Sequence, residues 1–237
     1  MIDHNKKAIF FDFDKTLGFI KSHYGIYIKA AQEFGLEISE EKLKAKPLLN
    51  AWSNWMTEQG IDHSQHSNNE YAYSKIRQKI ATHRLREAGL DTSEQKLNLI
   101  TKRIVEMEYD PNNYQLYSDT IRCLDYLQSK GFQLLIVSNH IWRLPEIISA
   151  LKIDSYFSHI ITSARIGFRK PHPKIFTHAI ELSGEIPVNI IFVGDSYTND
   201  VIGPQQLGLS SILIDREKKR NHANVPTTII HSLDELR

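Results

Sequence analysis

Cysteine is almost absent from this sequence, because Cys123 is the single one among 237 residues. One cysteine excludes an intramolecular disulfide and fits a reducing compartment. No apolar stretch reaches the length of about eighteen residues that predicts a transmembrane helix. The N-terminal residues MIDHNKKAIFFDFDK contain neither a long apolar run nor a small-residue cleavage site, so no secretory signal is expected.

An excess of charge of one sign is lacking as well. The 29 basic and 28 acidic residues give a net charge of +1. This balance argues against a strongly basic face of the kind that binds nucleic acid. We therefore expect a soluble, cytoplasmic, globular protein with neither a nucleic-acid nor a membrane partner. No pattern in the sequence specifies an oligomeric state.

Six short apolar runs stand out in the sequence. They are rich in Ile, Val and Phe, they stop at polar residues, and they cover 8–14, 133–139, 159–163, 189–195, 210–215 and, more weakly, 227–231. Continuous apolar runs of this length, alternating with helical patterns, are typical of strands buried on both faces of a parallel sheet. The sequence therefore predicts an α/β fold with a Rossmann-like, doubly wound parallel sheet.

The stretch from 18 to 116 has a different pattern. It shows no convincing strand and is rich in helix formers and charge, with candidate helices near 22–35, 39–59, 70–89 and 93–109. Gly35, Gly60 and Gly89 separate these helices. We therefore predict an all-helical cap domain at 18–116, inserted into an α/β core formed by 1–17 and 117–237.

Reactive side chains follow three of the predicted strands. Asp12 and Asp14 close the first run, Ser138 and Asn139 close the run at 133–139, and Asp195 closes the run at 189–195. In an open parallel sheet, ligands bind beyond the carboxyl ends of the strands. Carboxylates buried there are costly without a cation or another partner. The sequence therefore predicts an active site at this edge.

The pair Asp12 and Asp14 suits attack on phosphorus. One carboxylate can act as the nucleophile while the other protonates the leaving oxygen. Two acidic residues that merely hydrate the tip of a strand are the alternative. The strand before them and Lys15-Thr16-Leu17 after them favour the catalytic interpretation.

Three further groups fit a phosphate ester. Asp195 and Asp200 offer carboxylate oxygens that suit Mg²⁺, although Asp200 alone is also explained as a charge at a helix N-terminus. Lys170, just before a predicted helix, would clamp a phosphoryl oxygen, and an exposed lysine is its alternative. Ser138 and the backbone N–H groups after it would bind the remaining oxygens.

These residues resemble the signature of the haloacid dehalogenase (HAD) superfamily. Its four motifs occur in order as DFDKT at 12–16, SN at 138–139, RKPHP at 169–173 and GDSYTND at 194–200. The resemblance covers nearly the whole chain. The helical insert after the first motif is similar to the cap of the subfamily that includes phosphoglycolate phosphatase and 2-haloacid dehalogenase.

The resemblance implies a role for each motif residue. Asp12 would be the nucleophile and Asp14 the general acid and base. Thr16 and Ser138 would hydrogen-bond the phosphoryl group, and Asn139 would support that phosphate-binding loop. Lys170 would stabilise the charged intermediate.

The same resemblance implies a Mg²⁺ site. Asp12, Asp195 and the backbone carbonyl of Asp14 would bind the ion directly. Asp200 would hold a metal-bound water or orient Lys170.

Asp14 bears on the reaction class. Release of halide needs no proton, and dehalogenases of the family lack this aspartate, whereas an alkoxide leaving group benefits from an acid. We therefore expect a phosphatase acting on a small phosphorylated metabolite through an aspartyl-phosphate. A phosphomutase, a phosphonate-cleaving enzyme with Lys21 as its amine, and a non-catalytic binding protein remain the alternatives.

Two residues depart from the family pattern. Many relatives have glycine at the position of Lys15, so this side chain either touches the substrate or is simply tolerated. Pro204 lies where a helix is expected after the last motif, and it predicts a kink because it lacks a backbone donor.

Other residues receive more general interpretations. Lys21, Tyr24, Tyr27 and His140 are candidate specificity residues, with Trp142 beside His140 a candidate for the border of the pocket. Aromatic residues of the insert are expected to pack in its core: Trp52, Trp55, Tyr71 and Tyr73. His63 and His66 are expected in a solvated loop, Cys123 in a buried helix face, and the basic run at 216–220 on the surface.

Overall fold

The fold is built around a six-stranded sheet. A computed structural model describes residues 5–45, 68–218 and 226–237. Its strands are β1 (Ala8–Phe11), β2 (Gly18–Ile20), β3 (Tyr114–Leu116), β4 (Gln133–Ser138), β5 (His159–Thr162), β6 (Ile190–Gly194), β7 (Ser210–Ile214) and β8 (Thr228–Ile230). Six of them form a parallel sheet in the order β5-β4-β1-β6-β7-β8. The predicted doubly wound α/β fold is confirmed.

Strand β1 shows why the apolar runs are continuous. All four of its residues are fully buried. Ile9 and Phe11 belong to one apolar cluster, and Ala8 and Phe10 belong to another. Successive side chains of a strand point to opposite faces, so both faces of this strand are covered.

Helices pack on both faces of the sheet and on one another in the inserted region. In the inserted region they are α1 (His23–Glu33), α2 (Glu40–Leu43), α3 (Glu70–Glu87) and α4 (Glu94–Glu108), and in the core they are α5 (Thr120–Ser129), α6 (Leu144–Ala150), α7 (Ser163–Ile166), α8 (Pro173–Ser183) and α9 (Gly203–Gln205). We call α1–α4 the helical insert. Ser22, Asn69 and Ser93 cap three of its helices by accepting a backbone N–H.

The helical insert has a hydrophobic core of its own. Tyr27 from α1, Leu85 from α3 and Ile100 from α4 are fully buried in one cluster. Tyr73 is buried, but it packs in the cluster that contains Ile9 and Phe11 and not in the predicted core of the insert. The prediction for Tyr71 is wrong, since this side chain is 72% exposed at the start of α3. Trp52, Trp55, His63 and His66 lie outside the described residues. The division into core and cap domains stays a prediction.

The prediction that 18–116 contains no strand is wrong at both ends of that stretch. Strands β2 and β3 pair antiparallel, with Gly18 opposite Leu116 and Ile20 opposite Tyr114. Each strand has three residues, too few for an alternating pattern to be recognised. Their pairing brings the entry and the exit of the insert together.

The last motif is followed by an irregular helix. A π-helical turn covers Tyr197–Ile202, and the short α9 after it contains Pro204. Proline has no backbone N–H to donate, so a regular helix does not continue through this segment. Among the described residues, no helix combines the length and the apolar character that crossing a membrane requires.

Candidate active site

Three adjacent strands bring the predicted site together. Strand β1 lies between β4 and β6, and Phe11 is in register with Ile136 on one side and Val193 on the other. The Asp12 N–H donates to the Val193 carbonyl at 2.9 Å, which extends the pairing to the nucleophile position. The strand ends therefore present Asp12, Ser138 and Asp195 at one edge of the sheet.

Lys170 is the cation at this edge. Its Nζ lies 2.8 Å from Asp12 Oδ1 and 2.6 Å from Asp200 Oδ1. The residue is 3% exposed. Burial opposes its charge, but the two carboxylates outweigh this effect and raise the pKa of Lys170. The lysine therefore remains charged beside the predicted nucleophile.

Asn139 fixes the backbone of this lysine. The Lys170 N–H donates to Asn139 Oδ1 at 2.7 Å, and Asn139 Nδ2 donates to the Lys170 carbonyl at 2.9 Å. Both ends of the Asn139 amide group are therefore bonded to one residue. This contact links the loop after β4 to the segment that carries Lys170.

Asp12, Asp195 and Asp200 form an acidic cluster. Each contributes a carboxylate oxygen, and these oxygens lie within 4.8 Å of one another. Burial, followed by the charge of Asp12, raises the pKa of Asp195 to about 6. Oxygen donors crowded in this way, in a buried place, suit a hard divalent cation such as Mg²⁺. The donor set fits the ion that the sequence predicted.

Asp200 has less capacity for direct ligation than its two neighbours. Lys170 contacts its Oδ1, and the Ser196 N–H donates to its Oδ2 at 2.9 Å. A Cβ atom at Gly194 would lie 2.4 Å from Asp200 Cγ, so the strand end needs glycine for this carboxylate to pack there. The geometry favours a role in orienting Lys170.

Asp14 is set up as an acid. Burial, with the nearby charge of Asp12, raises its pKa to about 6. A carboxyl group with this pKa can hold a proton close to neutral pH and give it to a leaving oxygen. Lys15, next in the chain, is exposed and has a φ of +58°, a conformation that favours glycine. This explains why glycine suits the position.

The loop after Asp14 presents an unpartnered hydroxyl. Thr16 is fully buried, and its Oγ1 has no hydrogen-bond partner in the part of the chain that the structure describes. Ser138 is 1% exposed at the end of β4. A buried hydroxyl without a partner is costly, and a phosphoryl oxygen would satisfy it. Phosphate contacts of Thr16 and Ser138 stay a prediction.

Arg216 holds the backbone of this loop. Its Nη2 donates to the Thr16 carbonyl at 2.6 Å, and its two Nη atoms contact the Asp119 carboxylate at 2.9 and 3.0 Å. The guanidinium stacks on Tyr117. Asp119 also accepts bonds from Ser232 Oγ and the Leu233 N–H. Thr120 Oγ1 meanwhile donates to the Leu17 carbonyl at 2.6 Å.

The prediction of a solvated basic run is therefore wrong for its first residue. The Arg216 side chain is 13% exposed, whereas Glu217 and Lys218 are exposed and 219–220 lie outside the described residues. The sequence placed Arg216 directly after an apolar run that ends in Asp215, as the other site residues follow their strands. This position at the end of a predicted strand was the signal from which a role of Arg216 near the site could have been predicted. Cys123, in contrast, is fully buried as predicted.

A cavity of about 140 Å³ lies beside Asp14, between the core and the helical insert. His140 lines it as the sequence suggested, together with His23, Arg77, Glu108 and Arg169, which sequence reasoning missed. An arginine or a glutamate on an amphipathic helix gives no signal that distinguishes a pocket residue from a surface residue.

The other candidate specificity residues lie elsewhere. Lys21 is exposed, and its Nζ donates to the Asn112 carbonyl at 2.8 Å. Tyr24 packs against His23 and beneath Arg84, and Tyr27 is buried in the core of the insert. Trp142 lies beneath the Arg165 guanidinium. None of these four is among the described residues that line the cavity beside Asp14.

A known protein family matches the segment of the chain that contains Asp12, Lys170 and Asp200. The model of the haloacid dehalogenase-like hydrolase family matches residues 6–208. Haloacid dehalogenase-like hydrolase domain-containing protein 3 of Danio rerio is 33% identical over 128 residues, which are 53% of this chain and 53% of that protein, so the match spans about half of either length. Glyceraldehyde 3-phosphate phosphatase of Methanothermobacter thermautotrophicus is 27% identical over 248 aligned residues, 98% of each chain.

Solved structures agree on the fold. A HAD phosphatase from Thermococcus onnurineus superposes with a TM-score of 0.64 at 25% identity and covers 98% of this chain and 96% of its own. A HAD hydrolase from Bacillus subtilis bound to magnesium superposes with a TM-score of 0.73 at 21% identity and with the same coverage. The second likeness shows the fold alone.

Proposed function

The chain belongs to the haloacid dehalogenase-like hydrolase family, and from that premise we propose that it hydrolyses small phosphate monoesters through an aspartyl-phosphate on Asp12. The observation that carries the proposal is the contact of Lys170 Nζ with both Asp12 and Asp200, beside an Asp14 carboxyl whose pKa is raised to about 6. A charged clamp and an acid are what transfer of a phosphoryl group to a carboxylate requires.

The reaction has two steps. Asp12 Oδ attacks phosphorus, the bond from phosphorus to the ester oxygen breaks, and protonated Asp14 gives its proton to that oxygen. Asp14, now ionised, then takes a proton from a water molecule that attacks the phosphorus of the aspartyl-phosphate. Inorganic phosphate leaves and Asp12 is regenerated. Lys170, Thr16 and Ser138 hold the phosphoryl oxygens throughout.

Asp12, Asp195 and the backbone carbonyl of Asp14 would hold Mg²⁺, and Asp200 would either reach the ion through water or orient Lys170. When bound, the ion supplies positive charge that offsets the charge of the phosphoryl group. The acidic cluster supports this assignment, because its three carboxylates carry more negative charge than the Lys170 ammonium offsets, and a divalent cation would relieve the remaining repulsion. The substrate would be a small phosphorylated metabolite, and a cytoplasmic location is proposed with it.

The alternatives fit the site less well. A dehalogenase expels halide without protonation and has no use for Asp14. A phosphonate-cleaving enzyme needs an amine in the substrate cavity, and Lys21 instead contacts the Asn112 carbonyl outside it. A binding protein would gain nothing from an acid with a raised pKa beside a nucleophile.

The test is magnesium-dependent hydrolysis of 4-nitrophenyl phosphate. The Asp12→Asn variant is expected to lose turnover while it keeps its fold by circular dichroism. Asp125→Asn is the matched control, since Asp125 is exposed on α5 and contacts Tyr156 away from the site. Turnover retained by Asp12→Asn would overturn the mechanism. Tight binding of beryllium trifluoride without hydrolysis of any ester would favour the binding protein.

A further inference from the structure

Asp119 stands at the start of α5 but does not cap that helix. Its carboxylate accepts no hydrogen bond from the first turn of α5, although aspartate is among the residues that most favour this position because they accept such a bond. The residue is 5% exposed. A buried carboxylate is costly unless hydrogen bonds or an opposite charge compensate for it. The side chain is therefore held by contacts outside its own helix.

These contacts come from the C-terminal part of the chain. Both Nη atoms of Arg216 donate to the carboxylate at 2.9 and 3.0 Å, the Ser232 hydroxyl donates at 2.7 Å, and the Leu233 N–H donates at 2.9 Å. Burial opposes the charge of Asp119, but these hydrogen bonds outweigh it and lower the pKa of the carboxyl group. The carboxylate stays ionised and holds the guanidinium in one orientation.

Arg216 connects this carboxylate to the loop that carries Thr16. Its Nη2 also donates to the Thr16 carbonyl at 2.6 Å, and its guanidinium lies 3.7 Å from the centre of the Tyr117 ring. The next carbonyl of the loop, that of Leu17, accepts from Thr120 Oγ1 at 2.6 Å. Two consecutive peptide groups of the loop are thus fixed by residues outside the four sequence motifs.

The same loop carries a hydroxyl that needs a partner. Thr16 is fully buried, and its Oγ1 has no hydrogen-bond partner within the described ranges of the chain. A hydrogen bond weakens steeply when its distance or angle is poor, so a phosphoryl oxygen is bound well only if the loop is already in place. The backbone contacts of Arg216 supply this constraint.

We propose that Asp119 is a positioning residue for phosphate binding. Through Arg216 it fixes the loop that carries Thr16, so that the threonine hydroxyl reaches the phosphoryl group without rearrangement of the loop. The inference rests on the phosphatase activity proposed above. It adds to the family pattern, because the match to the family model ends at residue 208, and Arg216, Ser232 and Leu233 follow that point.

Asp119→Asn tests the proposal. The amide keeps the size of the side chain, but its NH₂ group cannot accept from a guanidinium, so part of the contact with Arg216 is lost. Thr16 would bind the phosphoryl group in the ground state and in the transition state alike, so its displacement should act mainly on binding. We expect KM for 4-nitrophenyl phosphate to rise about 10-fold, with kcat lowered less than about 3-fold. The Kd of orthovanadate, measured by calorimetry with magnesium, should rise about 10-fold as well.

Asp234→Asn is the matched control. Asp234 lies in the C-terminal turn Leu233–Leu236 and pairs with Arg122 at 2.7 Å, so its replacement also weakens the attachment of this turn to α5. KM and the vanadate Kd should stay within about 2-fold of the wild-type values. Ser232→Ala removes one donor from Asp119 and is the milder second variant, expected to raise both values about 2- to 3-fold.

A double-mutant cycle with Thr16→Val separates positioning from general structural support. Valine keeps the branched shape of threonine without the hydroxyl. If Asp119 acts through this hydroxyl, Asp119→Asn should raise KM by less than about 2-fold in the Thr16→Val background, against about 10-fold in the wild-type background. A 10-fold rise in both backgrounds would overturn the proposal, because Asp119 would then act independently of Thr16.

The proposed function and the inference fail in different ways. Hydrolysis of 4-nitrophenyl phosphate with unchanged KM and vanadate Kd in Asp119→Asn overturns the inference and leaves the phosphatase standing. A wild-type protein that hydrolyses no ester refutes the proposed function, and the vanadate titration then decides on Asp119 by itself. Absence of both turnover and vanadate binding refutes the two together.

Discussion

Buried charges are arranged differently in two neighbouring regions. One is the edge of the sheet that carries Asp12, Lys170, Asp195 and Asp200, called the edge below, and the other is the cavity beside Asp14. At the edge, the carboxylates of Asp12, Asp195 and Asp200 outnumber the Lys170 ammonium, and all three lie after β1 or β6, two adjacent strands of one sheet. The described lining of the cavity holds two guanidiniums, Arg77 and Arg169, and two carboxylates, Asp14 and Glu108, which come from two helices, a loop and the end of β1. The edge therefore needs a further cation to balance its carboxylates, whereas the described lining of the cavity holds equal numbers of acidic and basic groups.

Replacing Lys170 should give the largest effect, because it removes the cation on which the edge depends. We expect Lys170→Met to lower kcat by about 10³-fold. It should also destabilise the metal-free protein by about 3–5 kcal/mol, because it leaves the buried carboxylates of Asp12 and Asp200 unpaired. Steady-state kinetics and urea unfolding measure the two effects.

Lys174→Met is the matched control for this experiment. Lys174 is exposed on α8, so its loss should leave both quantities nearly unchanged. A decrease in kcat of less than about tenfold in Lys170→Met would contradict the assigned role.

Asp14 stands at the border of the two regions, and its replacement should separate them. We expect Asp14→Asn to lower kcat for glycerol 3-phosphate by about 10²–10⁴-fold, because an alkoxide needs the proton. The loss should be much smaller for 4-nitrophenyl phosphate, whose leaving group needs little protonation. Equal losses for both esters would mean that Asp14 acts on the nucleophile or the metal site and not as the acid.

Replacing Arg216 tests whether the loop that carries Thr16 depends on a residue outside the four sequence motifs. Arg216→Lys cannot bond both the Thr16 carbonyl and the Asp119 carboxylate in the same way. We expect a loss of about 1–3 kcal/mol in stability and a several-fold rise in KM for 4-nitrophenyl phosphate, with a smaller change in kcat. Thermal unfolding and initial rates give these values. An unchanged KM would limit Arg216 to a structural role.

The acidic excess of the edge should make stabilisation by magnesium depend on pH. The pKa of Asp195 is raised from 3.8 to about 6. In metal-free protein its contribution to stability is complete below about pH 4 and is lost as the pH rises through about 6. The proposed Mg²⁺ would bind the ionised carboxylate, so the rise in Tm on adding it should be larger at about pH 7.5 than at about pH 5. Asp195→Asn should remove most of this difference.

The smallest effect is expected from replacing Lys15. This residue lies next to the edge, and its strain is confined to its own backbone, which has a positive φ. Lys15→Gly should stabilise the protein by at most about 1 kcal/mol, since glycine accepts a positive φ but gains entropy in the unfolded chain. Lys152, with a φ of +60° far from the site, offers a matched comparison in Lys152→Gly. A large loss of activity in Lys15→Gly alone would show that this side chain touches the substrate.

The two regions also differ in how far the sequence could predict them. The edge was predictable because each strand is buried on both faces, so a continuous apolar run ends at the residue that reaches the site, as with Asp12 and Asp195. Lys170 was placed by the family resemblance and the helix after it. The cavity was not predictable, because the pairing of Arg77 with Glu108 depends on how α3 packs on α4. The prediction for Arg216 was wrong because a run of charged residues indicates an exposed segment, which holds for Glu217 and Lys218 but not for Arg216.

The bond between Arg216 and Thr16 spans 200 positions of the chain. During synthesis, the first strand and its loop emerge about 200 residues before Arg216. Ser232 and Leu233, which bond the Asp119 carboxylate that holds Arg216, emerge later still. Contacts with such a large sequence separation form late in folding. The loop that carries Thr16 would therefore gain its final shape only after Arg216 has left the ribosome, so a chain truncated before Arg216 would remain inactive even with every motif residue already made.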